Sequence, residues 1–318
     1  MKILITGASG LLGGNLAFLY GSRYSVAASY FRHPVNIAGC EMINLDVLDQ
    51  KAVQTVINAS KPQVIIHCAA NANVDDCETN QEQAYQLNVL ATRYLASCAK
   101  EAGCKFVYLS TDSVFTNNRS APFREDEART PKTVYAKTKV EGEDAILSSL
   151  PDALVLRTCI YGYNILEKFS LGEWILHKLS QHQTINGFSD VFFTPILVND
   201  FAVRLEIALK SNLSGIYHFA SRNSVSKFDF ARMIAQRFGF ETNLVRESSI
   251  EGSGLQAIRP LRPCLDVSKF ELHLRAKFPT VEEGIDHFYE LYKQDYPKKL
   301  KLFGKTDAVC NGAGFVEK

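Results

Sequence analysis

The sequence predicts a doubly wound α/β fold: a parallel sheet with helices on both faces, joined to a smaller second α/β domain. Three observations predict it. Short β-branched runs alternate with amphipathic stretches through the first half of the 318-residue chain, as strands and crossover helices do. The first of these runs leads straight into Gly7-x-x-Gly10-x-x-Gly13. Beyond about residue 162 the alternation gives way to helical patterns separated by prolines and aromatics.

Residues 2–6, 25–30, 64–68, 105–110 and 153–157 are apolar runs of strand length, as buried parallel strands should be. Helical patterns over 11–20, 51–60, 81–101 and 134–150 lie between them, the second capped by Asp49. In the second half, helices are expected over 173–181, 201–209 and 228–238, with Ser226 capping the third and Gly239 ending it. Thr280 and Glu283 form a capping box for a final helix, with Ile285, Phe288, Leu291 and Tyr292 on one side. This gives a nucleotide-binding domain over 1–162 with a return near 198–219, and a substrate-binding domain over 163–197 and 220–296. Residues 297–318 are expected to be a frayed tail, and Lys298, Lys299 and Lys301 a solvated run.

Composition bounds the rest. With 46% hydrophobic residues the chain can bury an ample core, and its net charge of +1 gives no electrostatic case for nucleic acid or an anionic membrane as partner. The apolar run at residues 3–5 is too short for a signal peptide, and no later run reaches membrane-spanning length. Eight cysteines without a Cys-x-x-Cys pair, among them Cys68, Cys98 and Cys159 in apolar surroundings, suit a reduced cytoplasmic protein with buried free thiols. The seven histidines are dispersed, so no metal site is expected.

The glycines carry the first functional signal. A strand, a tight glycine turn and a helix let a pyrophosphate approach the backbone, while the helix N-terminus at Leu11 and Leu12 offers N–H donors. Gly7 and Gly10 are the candidate cradle. The second strand ends in Tyr30-Phe31-Arg32-His33 and carries no acid to accept a ribose 2′-hydroxyl. Arg32 offers a cation for a 2′-phosphate instead, which favours NADP(H), with NAD(H) as the alternative. Asp46 and Val47, after the third strand, are placed to border the adenine.

The second signal is Tyr135-Ala-Lys-Thr-Lys139, preceded by Ser110-Thr111-Asp112 at the end of an apolar run. Residues four apart share a helix face, so Lys139 can meet Tyr135 and Lys137 cannot. Reducing a ketone needs a hydride at carbon and a proton at oxygen, and a phenol can deliver the proton. Lowering its pKa by about three units takes roughly 4 kcal/mol of preferential phenolate stabilisation, which a neighbouring ammonium can supply. Thr111 is the candidate group to hydrogen-bond the carbonyl oxygen. Asn88 is a candidate to link Lys139 to a proton relay through water.

These blocks resemble the extended short-chain dehydrogenases/reductases, most closely the dTDP-4-dehydrorhamnose reductase group, over about residues 1–295. The carriers are Ile3-Leu-Ile-Thr-Gly-Ala-Ser-Gly-Leu-Leu-Gly13, Pro62-Gln-Val-Ile-Ile-His-Cys-Ala-Ala70, Leu109-Ser-Thr-Asp-Ser-Val-Phe115, Val134-Tyr-Ala-Lys-Thr-Lys-Val-Glu-Gly-Glu143 and Arg157-Thr158 followed by Tyr161-Gly162. Gly215-Ile-Tyr-His-Phe219 and Arg259-Pro260 ahead of Leu265-Asp266 resemble the group's later blocks. The resemblance implies a Rossmann-type domain plus a sugar-nucleotide-binding domain, with Thr111, Asp112, Tyr135 and Lys139 as catalytic residues. It also implies a cofactor bordered by Ala69, Ala70 and Ser110, and a nucleotide-sugar substrate. Arg259 or Arg262 would meet the substrate diphosphate, and a homodimer is an admissible assembly. Related dehydratases carry a glutamate where this chain has Ser113, so the implied chemistry is reduction rather than elimination.

The chain departs from the group in two places. Cys159-Ile160-Tyr161 stands where a tryptophan is usual, and Phe192-Phe-Thr-Pro-Ile196 is more apolar than a sugar-hydroxyl site requires. Trp174, the single tryptophan, is expected in the core of the second domain. Two alternatives share the fold: an NADP-binding regulatory subunit, as the methionine adenosyltransferase β subunit resembles it, and a sugar-nucleotide epimerase.

Overall fold

The computed structural model describes residues 1–254 and 257–304. Seven strands make the central sheet: β1 (Lys2–Thr6), β2 (Ser25–Tyr30), β3 (Cys40–Asn44), β4 (Val64–His67), β5 (Lys105–Thr111), β6 (Leu154–Thr158) and β7 (Gly215–Phe219). Their order is β7-β6-β5-β4-β1-β2-β3, and every pairing is parallel. Alternate side chains serve opposite faces. Ile3 and Ile5 join one buried cluster and Leu4 the other, which is why β1 reads as an unbroken apolar run. The strand order reverses between β1 and β4. The loops after those two strands therefore flank a crevice at the carboxyl edge of the sheet, where such folds bind ligands.

Crossover helices fill both faces: α1 (Leu11–Tyr20), α2 (Gln50–Ser60), α3 (Ala91–Glu101) and α4 (Val134–Ser149). Asp49 caps α2 by accepting from Ala52 N at 3.0 Å, and Thr133 caps α4 by accepting from Ala136 N at 3.1 Å. The single helix expected over 81–101 is broken. Gln81–Tyr85 is α-helical, Gln86–Leu90 forms a π-helical turn, and α3 follows. A short helix, Val74–Thr79, precedes them and was not anticipated.

The second half contributes α5 (Leu171–Ser180), α6 (Val198–Lys210), α7 (Lys227–Phe238) and α8 (Val281–Lys293). Three two-stranded pairings accompany them, Phe192–Phe193 with Val225–Ser226 among them. Ser226 caps α7, and Gly239 ends it at φ 75°. Both halves of the Thr280–Glu283 capping box are present, at 3.2 and 2.8 Å. Ile285, Phe288 and Leu291 are buried as expected, but Tyr292 is 53% exposed and lies against Phe238.

The expected tail is corrected in part. Tyr296–Leu302 is a helix, α9, whose Tyr296 hydroxyl donates to Asn15 Oδ1 at 2.7 Å and whose Leu300 is buried. Residues 305–318 lie outside the described residues. The lysine run is partly structural, since Lys301 pairs with Glu167 at 3.1 Å while Lys298 stays exposed beside Asp295.

Candidate active site

The glycine turn is closed against β4 by contact that permits no side chain. Gly7 has φ +73°, and a Cβ there would lie 2.8 Å from Ala69 N. A Cβ on Gly13 would lie 2.2 Å from Gly7 O, so α1 packs on the turn only because residue 13 is glycine. Ala69 N donates to Thr6 Oγ1 at 3.2 Å, tying the loop after β4 to the end of β1. Gly10 is the N-cap of α1 with no side-chain cap and no acid in the first turn, which leaves the helix N-terminus at Leu11 and Leu12 available to an anion. This cradle fits a dinucleotide pyrophosphate.

Arg32 is exposed just beyond β2, with its guanidinium carbon 5.9 Å from the Phe31 ring centroid. Asp46 is half-buried and accepts from Leu48 N, and Val47 is in the core. Ala69 and Ala70 are half-buried on the same loop as Asn71. The Ser110 hydroxyl donates to Glu143 Oε1 at 2.5 Å, which leaves its backbone for the expected cofactor contact.

Glu143 and Arg157 form a buried anchor beneath the site. Arg157 Nε and Nη2 donate to the two carboxylate oxygens of Glu143 at 2.9 and 2.7 Å, and neither residue is more than 1% exposed. Burial opposes the charge on Glu143, but its bonds from Arg157 prevail and hold the carboxyl below its usual range. The pair joins α4 to β6, and Ser110 ties β5 to it. Thr111 therefore follows a strand end fixed from two sides.

Thr111 Oγ1 donates to Asp112 Oδ1 at 3.1 Å and accepts from Ser113 N at 3.2 Å. Ser113 Oγ also donates to Asp112 Oδ1. Burial pushes the Asp112 carboxyl up, opposed by Lys227 and by these two hydroxyls. Tyr135 stands half-buried in the first turn of α4. Burial raises its phenol pKa, and the Thr111 hydroxyl opposes that rise by hydrogen bonding. Burial here acts against the lowering expected from Lys139 together with the positive nicotinamide ring of a bound cofactor. Lys139 is 4% exposed, with Nζ 4.2 Å from the Tyr108 ring centroid. Burial lowers its pKa to about 8, opposed first by Glu143 one turn further along the helix.

Asn88 plays a different part from the relay. It bonds both backbone groups of Asn71 at 2.8 and 3.0 Å and donates to Thr138 Oγ1 at 3.1 Å, while Thr138 Oγ1 donates to Tyr135 O at 2.8 Å. It therefore steadies the turn that carries Tyr135. His67 also escaped sequence reasoning. Its two ring nitrogens meet Thr6 and Thr92, and burial drops its pKa to about 3.

A cleft of about 380 Å³ opens on Asp112 and Ser113. Trp174 lines it at 37% exposed, against the expectation of a core residue. The apolar surface that Phe192 and Phe193 presented in the sequence is part of its wall. Arg259 lines the cleft and pairs with Asp75 at 2.8 Å, whereas Arg262 stacks on the Phe192 ring, 3.7 Å from its centroid. Among the described residues, no group of three or more His, Cys, Asp or Glu could hold a metal ion, and no helix is long and apolar enough to cross a membrane. All seven described cysteines are free thiols.

A glycine cradle at the switch point, with threonine, tyrosine and lysine beside it, defines an oxidoreductase of the extended short-chain dehydrogenase/reductase type. Residues 1–294 match the RmlD substrate binding domain, and the chain belongs to that family of sugar-nucleotide reductases. It is 32% identical to dTDP-4-dehydrorhamnose reductase of Aggregatibacter actinomycetemcomitans over 85% of this chain and 92% of that one. It is 35% identical to methionine adenosyltransferase 2 subunit beta of Xenopus laevis over 85% of this chain and 81% of that one. Among solved structures, dTDP-4-dehydrorhamnose reductase of Bacillus anthracis in complex with NADP superposes with a TM-score of 0.82 at 27% identity, covering 91% of this chain and 98% of that one.

Proposed function

We propose that this protein reduces a keto group on a nucleotide-activated sugar, using NADP(H), with NAD(H) as the second cofactor. The observation that carries the proposal is the junction of β5 and α4. Thr111 at the strand end and Asp112 in the turn after it pack against the helix whose first turn carries Tyr135, and both act on its phenol. Residues 1–162 with the return near 198–219 would form the cofactor domain, and 163–197 with 220–296 the substrate domain.

The cofactor would be held by the backbone of Gly7, Gly10, Leu11 and Leu12, with Arg32 toward a 2′-phosphate, Asp46 and Val47 toward the adenine, and Ala69, Ala70 and Ser110 along its length. When bound, it supplies the hydride that goes to the keto carbon. Tyr135 gives its phenolic proton to the carbonyl oxygen as negative charge develops there. Lys139, ammonium-bearing below about pH 8, offsets the charge left on the phenolate. Asp112 accepts from the Thr111 hydroxyl and holds that side chain at the strand end, from which the hydroxyl would turn to hydrogen-bond and orient the substrate carbonyl oxygen. Ser113 supports this reading, because no carboxylate stands there to remove a proton beside the carbonyl. Arg259 faces the substrate diphosphate from the cleft wall.

The test is a screen of keto sugar nucleotides that follows NADPH absorbance. Turnover with at least one substrate, abolished in Tyr135→Phe while NADPH still binds, supports the assignment. A fully active Tyr135→Phe enzyme refutes it. The 35% identity to the methionine adenosyltransferase subunit favours one second reading, a cofactor-binding regulatory subunit. Co-purification with a partner enzyme, without NADPH consumption on any keto sugar nucleotide, would establish that instead.

A further inference from the structure

Lys227, the first residue of α7, has no task in the chemistry above, yet it lines the same cleft as Asp112, Cys159 and Trp174. Its backbone N–H donates to Val191 O, which fixes the start of the helix against the cleft wall. Its Nζ lies 3.2 Å from the centroid of the Phe193 ring. Among the described residues, no oxygen accepts a hydrogen bond from that ammonium.

A ring face attracts the charge of an ammonium but leaves its three N–H donors unfilled. On this half-buried cation those donors are left to solvent, and an occupant that displaces the solvent from the apolar cleft must bring an oxygen to replace it. Charge decides which oxygen. The Asp112 carboxyl shares this part of the cleft and interacts electrostatically with Lys227. A diphosphate brought to Lys227 would meet the Asp112 carboxylate as well, and like charges at short range repel strongly in such surroundings. A neutral hydroxyl accepts from Lys227 without that penalty. The wall agrees, because Trp174, 37% exposed in the cleft, adds apolar aromatic surface suited to the C–H side of a sugar ring.

We propose that Lys227 is a specificity-determining residue that donates a hydrogen bond to a ring hydroxyl of the nucleotide sugar, fixing the ring beside Asp112. This rests on the sugar-nucleotide reductase reading. Burial lowers the pKa of Lys227, while Cys159 and Asp112 oppose that shift and support its charge.

Trp174 is the single tryptophan of the chain and lines the cleft, so its fluorescence reports an occupant. The NADP⁺-saturated protein is titrated with dTDP-L-rhamnose, UDP-glucose and GDP-mannose, and with dTDP, UDP and GDP alone. Lys227→Met should weaken the best-binding sugar nucleotide by about tenfold or more and leave its free diphosphate within about twofold. Lys227→Arg, which keeps the cation, should recover part of the loss; it also serves if the methionine variant folds poorly. In turnover, Lys227→Met should raise KM more than it lowers kcat. Equal losses for sugar nucleotide and free diphosphate, no loss for either, or no Trp174 response to any sugar nucleotide would overturn the proposal. Wild-type turnover of a keto sugar without a Trp174 response sinks the Lys227 site alone. A sugar-dependent response lost in Lys227→Met, without turnover of any keto sugar, sinks the reductase reading alone.

Discussion

Arg157 grips Glu143 through two parallel hydrogen bonds of 2.9 and 2.7 Å, and both side chains are almost fully buried. Glu143 lies on the helix that carries Tyr135 and Lys139, and it also receives the Ser110 hydroxyl. The pair thus couples the two elements of the site. Removing Arg157 takes away both of those bonds and leaves the buried Glu143 carboxylate with only Arg129, at 3.1 Å, as counterion. Arg157→Met should destabilise the fold by about 3–5 kcal/mol. Urea unfolding checks it, and a loss below about 1 kcal/mol would mean that Arg129, already bonded to Glu143 Oε2, suffices as counterion.

The proposed role of Arg32 in cofactor selectivity can be tested, since it is exposed and makes no ion pair with a described carboxylate. A guanidinium bonded to a phosphate gains a charge-assisted hydrogen bond that a 2′-hydroxyl cannot match. Arg32→Ala should weaken NADPH by about tenfold and leave NADH nearly unchanged. Fluorescence titration of both cofactors measures this, and equal losses would move the 2′-phosphate elsewhere.

Two buried histidines set the response to acid. Burial, aided by Lys139, holds His67 near about 3, and burial, aided by Arg157, holds His218 near about 3. An unfolded chain protonates both around the ordinary value of 6.5. Below that pH the unfolded state binds more protons at these two groups, so their contribution falls as pH drops from about 6.5 toward 3 and is level above about 7, while Glu173, raised by burial to about 7, contributes in the opposite sense. Between pH 7 and pH 5 each histidine should remove about 2 kcal/mol. Asn at position 218 keeps a donor for Asp266 O and cannot be protonated, so His218→Asn should lessen the change in stability from pH 7 to pH 5 by about 2 kcal/mol in urea melts.

Much of this architecture was legible in the chain. The parallel strands are continuous apolar runs because both faces of the sheet are covered, and the caps at Asp49, Ser226 and Thr280 mark helix starts by local chemistry. The four-residue spacing of Tyr135 and Lys139 survives folding, since helix periodicity is local. What failed is what depends on distant neighbours. Tyr296–Leu302 looked like a polar tail because only contact with Asn15 and the core reveals the use of Tyr296 and Leu300. Val74–Thr79 is too short for periodicity to show. Lys227 and Trp174 gave no sequence signal of a site, as their shared cleft is assembled from separate elements. The desolvation of the Tyr135 phenol is hidden for the same reason: spacing shows a nearby ammonium but not the depth of burial.

The glycine turn allows a sharper experiment than loss of cofactor binding alone. A Cβ at Gly13 would stand 2.2 Å from Gly7 O, a backbone atom that cannot swing aside. Gly13→Ala must therefore push α1 off the turn, weakening the packing of α1 on the sheet and the anion cradle together. Gly239 gives the control: its φ is also positive, at +75°, but a Cβ there meets nothing within 4 Å. Gly239→Ala should cost about 1 kcal/mol from backbone conformation alone and leave NADPH affinity intact. Gly13→Ala should cost more than about 2 kcal/mol and reduce NADPH affinity by at least about tenfold. Urea unfolding and NADPH titration on both variants separate the two effects. If Gly13→Ala retains full affinity, the pyrophosphate does not sit on the N-terminus of α1.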